Sequence, residues 1–186
     1  LEINLHTNEK DNKKVVLYGS STFKDWANAN KDLSINNLLN LGFGGSTLVS
    51  CRTYFNRIVL PYNPDTIVFY AGDNDIGSGT SADELLNEFL LFSSEVAEKI
   101  PHTRCFFISI KPSVFRSEYL DIILDFNKKV KNSIDHLNQW KYIDLCTPML
   151  ETGYEKFYGE DPLHMNILGY SLLSKLIRDQ LDIFLN

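Results

Sequence analysis

The chain has 186 residues, 44% of them hydrophobic and 23% charged, which is enough length to bury a full core and argues against general disorder. Its net charge is −6, from 18 basic and 24 acidic side chains, and the lysines are scattered; nucleic acid calls for a basic surface, so no nucleic-acid partner is expected. No apolar run approaches the ~20 residues of a membrane-spanning helix.

Residues 1–14 form a polar arm without the apolar stretch of a signal peptide, which sets a cytoplasmic location as the expectation for a chain that here starts at Leu1. The remainder, 15–186, reads as a single domain. Residues 15–18 (Val-Val-Leu-Tyr), closed by Gly19, predict a buried strand. A helix is expected around 25–31 and a second strand over 34–41. Gly42-Phe43-Gly44-Gly45 must be a loop, since three glycines in four residues favour neither helix nor strand.

A helix capped by Ser46 or Thr47 follows, ended by Pro61 and Pro64. Residues 66–70 (Thr-Ile-Val-Phe-Tyr) form the clearest strand, and 71–79 a polar loop. Ser81 and Glu84 make a capping box for a helix reaching about Ile100. Strands over 105–110 and 140–145 bracket a helix over 117–138, and an amphipathic helix spans 166–183.

Continuous apolar strands alternating with helices indicate a mostly parallel sheet of about five strands covered on both faces. The expected fold is therefore a three-layer α/β/α sandwich, flavodoxin-like, with ligands bound beyond the carboxyl ends of the strands. Polar loops fall at those ends: Gly19-Ser20-Ser21-Thr22, the segment 42–47, Gly72-Asp73-Asn74-Asp75, and a stretch after Leu145 that leads to Asp161-Pro162-Leu163-His164.

A serine hydroxyl becomes a nucleophile when a base removes its proton, and a histidine oriented by a carboxylate is the usual base near neutral pH. Asp161 and His164, three apart, can touch within one turn that Pro162 stiffens. Each loop also has a plainer reading. The first is a turn with a helix cap, the second a phosphate cradle without a Walker lysine, the third a turn or weak cation site, and the last a surface turn. His6, His102 and His136 have no comparable partner in sequence. Cys51, Cys105 and Cys146 are far apart, with no disulfide framework and no metal-like spacing; Cys105 and Cys146 read as small buried hydrophobes.

Taken together, the four loops resemble the blocks of the SGNH (GDSL-like) hydrolases. Tyr18-Gly19-Ser20-Ser21-Thr22 resembles the first block, which commonly reads Gly-Asp-Ser; Ser20 stands where that Asp would be. The Gly-x-Ser alignment then makes Ser21 the nucleophile rather than Ser20 or Thr22. Asn40-Leu41-Gly42-Phe43-Gly44-Gly45-Ser46-Thr47 resembles the second block, with the Gly45 N–H as oxyanion donor beside that of Ser21. Gly72-Asp73-Asn74-Asp75 resembles the third, with the Asn74 amide as third donor. Asp161-Pro162-Leu163-His164 resembles the last and supplies acid and base.

The resemblance implies a serine hydrolase of small-molecule esters, acting without a cofactor or metal through a Ser21–His164–Asp161 triad. Short acyl groups such as acetyl, on carbohydrate or lipid-like alcohols, are expected because no long apolar lid segment is seen. Two alternatives share the fold: a ligand-binding module without catalysis, and a phosphate or nucleotide binder using 42–45. Phe23, Trp26, Phe43, Arg116 and Tyr154 are candidates to line the pocket, and the oligomeric state is open.

Overall fold

The structure is a computed structural model that describes residues 13–185. His6 and nearly all of the polar arm expected over 1–14 lie outside the described residues.

Five strands form one sheet in the order β2-β1-β3-β4-β5: β1 (Val15–Gly19), β2 (Leu38–Gly42), β3 (Thr66–Tyr70), β4 (Arg104–Ile108) and β5 (Trp140–Ile143). Every pairing is parallel. This is the flavodoxin-like order. Because successive side chains of a strand point to opposite faces, each strand feeds two cores. Val16, Tyr18, Ile67, Phe69, Cys105 and Phe107 pack with α3 (Leu48–Ile58), α5 (Ala82–Lys99) and α6 (Leu120–Ile134). Val15, Leu17, Val68, Tyr70, Phe106 and Ile108 pack under α2 (Ala29–Leu33) and α8 (Ile167–Leu185), together with Phe23 of α1 (Ser21–Lys24). Both β1 and β3 are buried along their whole length, which is why they read as unbroken apolar runs.

Local details differ from expectation where short-range hydrogen bonds win. The helix expected around 25–31 is two pieces, α1 and α2, on either side of a turn at 25–28. The second strand starts at Leu38 because Ser34 takes a left-handed conformation (φ 55°) that ends α2. The loop expected at 71–79 contains a one-turn helix, α4 (Asp73–Gly77), and a further short helix, α7 (Cys146–Glu151), follows β5. Helix α6 begins at Leu120, after a 3₁₀ turn at Ser117–Tyr119. The Ser81–Glu84 capping box forms as read: the Glu84 carboxylate accepts from Ser81 N–H at 2.9 Å and Ser81 Oγ accepts from Glu84 N–H at 3.4 Å. No helix among the described residues is long and apolar enough to cross a membrane.

The chain steps outward from β1 to β2, then crosses back past β1 to β3 and continues in the opposite direction. The loops at the carboxyl ends of these strands therefore part at β1, and that crevice is where open α/β sheets bind ligands.

Candidate active site

Strand β1 ends at Gly19, in a conformation (φ 137°) that L side chains rarely adopt. A Cβ there would fall 1.8 Å from the Tyr70 carbonyl oxygen, so glycine is obligatory. Ser20 N–H donates to the same carbonyl at 3.0 Å, and the Ser20 carbonyl accepts from Phe23 and Lys24 to start α1. Ser21 is the first residue of that helix, so its own N–H has no intrahelical acceptor.

The three hydroxyls in this turn differ in setting. Ser20 is fully buried with no hydrogen bond to its Oγ, and Thr22 is buried beside it. Ser21 is half-buried, and its Oγ lies 3.1 Å from His164 Nε2. A carboxylate at position 20 would be buried; the hydroxyl there carries a far smaller desolvation cost.

The second and third loops are stitched together. Phe43 N–H donates to Gly19 O at 2.9 Å, and Asn40 bridges the Phe23 carbonyl (2.6 Å) and Gly42 N–H (3.1 Å). Gly45 is exposed and left-handed (φ 69°), which lets the backbone turn back before α3. Thr47 caps α3 reciprocally with Ser50. From α4, the Asn74 amide donates to the Ser46 carbonyl at 2.9 Å, and both Asp75 oxygens accept from Leu48 N–H at 3.1 and 3.2 Å. Burial pushes the Asp75 carboxyl up to about 6, against the opposing effect of that N–H. The leading N–H groups of α3 are thus already engaged, and beside a carboxylate. That disfavours the phosphate cradle considered for 42–45.

The Asp161–His164 turn sits on a surface loop whose closest bonds are its own. Asp161 Oδ2 is 2.6 Å from His164 Nδ1, and Asp161 Oδ1 accepts from Leu163 N–H (2.8 Å) and His164 N–H (3.1 Å). The His164 bond first, then the two backbone donors, lower the Asp161 carboxyl to about 2. The cap of α8 is Asn166, whose Oδ1 accepts from Leu168 and Gly169; Asp161 is left to the imidazole. The side chains of His164 and Asp161 are 36% and 55% exposed. A second carboxylate, Asp25, lies 3.8 Å from His164 Nε2, the nitrogen that faces Ser21.

The structure thus brings Ser21, Asp161 and His164 into one relay, and Gly45 and Asn74 onto two loops bonded to each other. His102 and His136 have no place in the relay. Cys51, Cys105 and Cys146 are all buried free thiols; burial pushes Cys51 up to about 12 and Cys146 up to about 11, and also raises Cys105, so none forms a ready thiolate.

Of the residues weighed as pocket lining, Phe23 and Trp26 are buried in the core, and Tyr154 packs against that same core. Phe43 is half-buried against Tyr18 and Tyr54. Arg116 is buried, and its Nη2 donates to Asn74 Oδ1 at 2.9 Å. Lys111 is an addition to the expected set. It lies beyond the carboxyl end of β4, the one strand end whose loop is not among the four singled out in the sequence. Its buried Nζ donates to the Leu163 carbonyl at 2.9 Å and sits 4.0 Å from Asp73 Oδ2. Phe115 N–H donates to the Pro162 carbonyl at 3.0 Å and Tyr158 Oη to that of Pro112, so the 111–116 loop braces the base loop.

A sequence model of the GDSL-like lipase/acylhydrolase family matches residues 16–172. No curated protein sequence matches the chain. Among solved structures, one from Bacteroides fragilis classed as an acylhydrolase superposes with TM-score 0.80 at 22% identity, covering 97% of this chain and 90% of that one. A lipase/acylhydrolase from Enterococcus faecalis gives TM-score 0.77 at 21% identity, covering 91% and 95%. A catalytic mutant of Axe2, an acetylxylan esterase from Geobacillus stearothermophilus, gives TM-score 0.75 at 14% identity, covering 89% and 92%. At these identities the likenesses show a common fold.

Proposed function

The chain belongs to the GDSL-like lipase/acylhydrolase family, and from that premise we propose that it is a metal-independent serine esterase removing short acyl groups, acetyl foremost. Membership itself supports an ester hydrolase acting on a small molecule. The observation that carries the finer reading is the relay from Ser21 Oγ to His164 Nε2 (3.1 Å) and from His164 Nδ1 to Asp161 (2.6 Å).

In this mechanism Asp161 holds the imidazole so that Nε2 faces the hydroxyl. His164 Nε2 takes the Ser21 proton as Oγ bonds to the ester carbonyl carbon. The tetrahedral oxyanion is met by Ser21 N–H, Gly45 N–H and the second Nδ2 hydrogen of Asn74, the first being used on Ser46. The bond to the alcohol oxygen then breaks, and the imidazolium returns its proton to that oxygen. Water, deprotonated by His164, releases the acid and restores Ser21.

A groove of about 670 Å³ begins at Asp25 and is lined by both apolar and polar side chains, among them Trp26, Met165 and Tyr170 beside Asn28, Asp32 and Arg178, which offers a mixed surface to the alcohol portion. The fold likeness to an acetylxylan esterase makes acetylated sugars a natural first panel beside p-nitrophenyl esters of rising chain length. Ser21→Ala should abolish ester turnover and fluorophosphonate labelling while the protein keeps its melting temperature. Retained turnover in Ser21→Ala, with loss in Ser20→Ala, would move the nucleophile by one residue.

A further inference from the structure

Arg116 is buried, at 9% exposure, yet within the protein its Nε and Nη1 make no hydrogen bond. The guanidinium's one hydrogen bond runs from Nη2 to Asn74 Oδ1 at 2.9 Å, and Nη1 forms a buried ion pair with Asp73 Oδ2 at 3.4 Å, which leaves Nε without a partner. Burying a guanidinium with idle donors is costly, and a purely structural arginine would be expected to use its fork more fully. The contact it does make is with the side chain proposed to hold the oxyanion.

The chemistry of an amide explains the arrangement. One end of Asn74 accepts and the other donates, and the two ends have nearly the same shape. Here the acceptor end meets a cationic donor, Arg116, and the donor end meets a carbonyl, that of Ser46, at 2.9 Å. Rotating the amide by half a turn would set its NH₂ against the guanidinium and its oxygen against the Ser46 carbonyl. Both contacts would then repel. With Oδ1 and one Nδ2 hydrogen committed, the remaining N–H has a single direction.

We propose that Arg116 is a positioning residue that locks the Asn74 amide in the orientation that presents its free N–H to the oxyanion. This rests on the esterase reading above. Arg116 acts through Asn74 and touches neither substrate nor the reacting atoms. A charge-assisted bond to Oδ1 also polarises the amide, making the free N–H a stronger donor.

Gly77, the last residue of α4, provides an independent handle. A Cβ built there would lie 2.7 Å from Arg116 Nε, whereas its backbone conformation accepts alanine. Gly77→Ala should therefore push the guanidinium aside while Arg116 remains in the sequence.

The experiment is a double-mutant cycle on p-nitrophenyl acetate hydrolysis with Asn74→Ala, Arg116→Ala and both, alongside Arg116→Lys, Gly77→Ala, Ser21→Ala and thermal melts. Arg116→Ala should lower kcat roughly 10–100-fold with little change in KM, as expected for an interaction made only in the transition state. The double variant should be no slower than Asn74→Ala alone. Gly77→Ala should lower kcat with little change in KM while thermal melts show a folded protein. Arg116→Lys should restore little, because an ammonium cannot span Asn74 and Asp73 as a fork does.

Unchanged kcat in Arg116→Ala or in Gly77→Ala, or losses that multiply in the double variant, would overturn the proposal while leaving the esterase intact. A wild type that matches Ser21→Ala, with neither turnover nor fluorophosphonate labelling, would overturn the esterase reading and this one with it.

Discussion

The two halves of the candidate site are built in opposite ways. The half that carries Ser21, Gly45 and Asn74 hangs on bonds between residues far apart in sequence: Gly19 with Phe43, Ser46 with Asn74, Leu48 with Asp75. The base half is a turn whose key bonds span two or three residues, with its carboxylate largely in solvent. One half inherits its precision from the sheet. The other is precise locally and depends on Lys111 and Phe115 to hold it in place.

Removal of a group from each half tests that difference. Asp161→Ala should cost on the order of 10³-fold in kcat or more, because the imidazole loses its orientation. Its exposed position leaves room for added formate to restore part of the rate. Asn74→Ala should cost about 10²–10³-fold with no comparable small-molecule rescue. Rescue of both, or of neither, in a formate titration would erase the contrast.

Lys111→Met probes the tie between the halves. It removes the donor to Leu163 without opening a large cavity, and Asp73 keeps Arg116 as its cationic neighbour. Because burial already depresses the Lys111 pKa and makes its charge costly, stability should hold or rise. Meanwhile kcat should fall roughly 10- to 100-fold as the base drifts. A fall in melting temperature with unaltered kcat would make Lys111 a stability residue instead.

The pH profile is a milder test. The Asp161 carboxyl, lowered to about 2 chiefly by its bond to His164, stays ionised far below neutrality, so the acid limb of kcat/KM should carry one proton rather than two. Two carboxylates face that ring, Asp161 at Nδ1 and Asp25 near Nε2. Asp25→Asn removes a charge 3.8 Å from Nε2 that would stabilise the imidazolium formed as Ser21 is deprotonated, so kcat should fall a few-fold. An unchanged kcat would exclude Asp25 from the electrostatics of the base.

The smallest effect concerns stability alone. The Asp75 carboxyl is raised from 3.8 to about 6, chiefly by burial. Between those values the folded chain keeps a proton that the unfolded chain has released. Stability should therefore fall as pH rises through that window, by on the order of 2–3 kcal/mol. Asp75→Asn keeps an acceptor for Leu48 N–H and should flatten the curve in melts from pH 4 to 8. Parallel curves for the two proteins would assign the loss elsewhere.

The same contrast explains what was legible in the sequence. Strands β1 and β3 announce themselves because burial on both faces leaves only apolar residues. The four loops were readable because their chemistry is carried by Gly, Ser, Asn, Asp and His in short blocks. Helices α1, α4 and α7 were not, being only four to six residues long and set by turn hydrogen bonds rather than by periodicity. Lys111 was hidden because a lysine after a strand ordinarily ends in water. Arg116 stood out only as a large loop side chain, since its bond to Asn74 joins residues 42 positions apart.

Gly19 has an evolutionary corollary. Its backbone sits so close to Tyr70 that this crossing admits no side chain at all. If Ser21 is the nucleophile proposed above, its hydroxyl therefore stays where the sheet puts it while groove residues such as Asn28 and Arg178 are free to vary. A laboratory seeking new esters would randomise the groove lining and leave both this crossing and the Asp161–His164 turn alone.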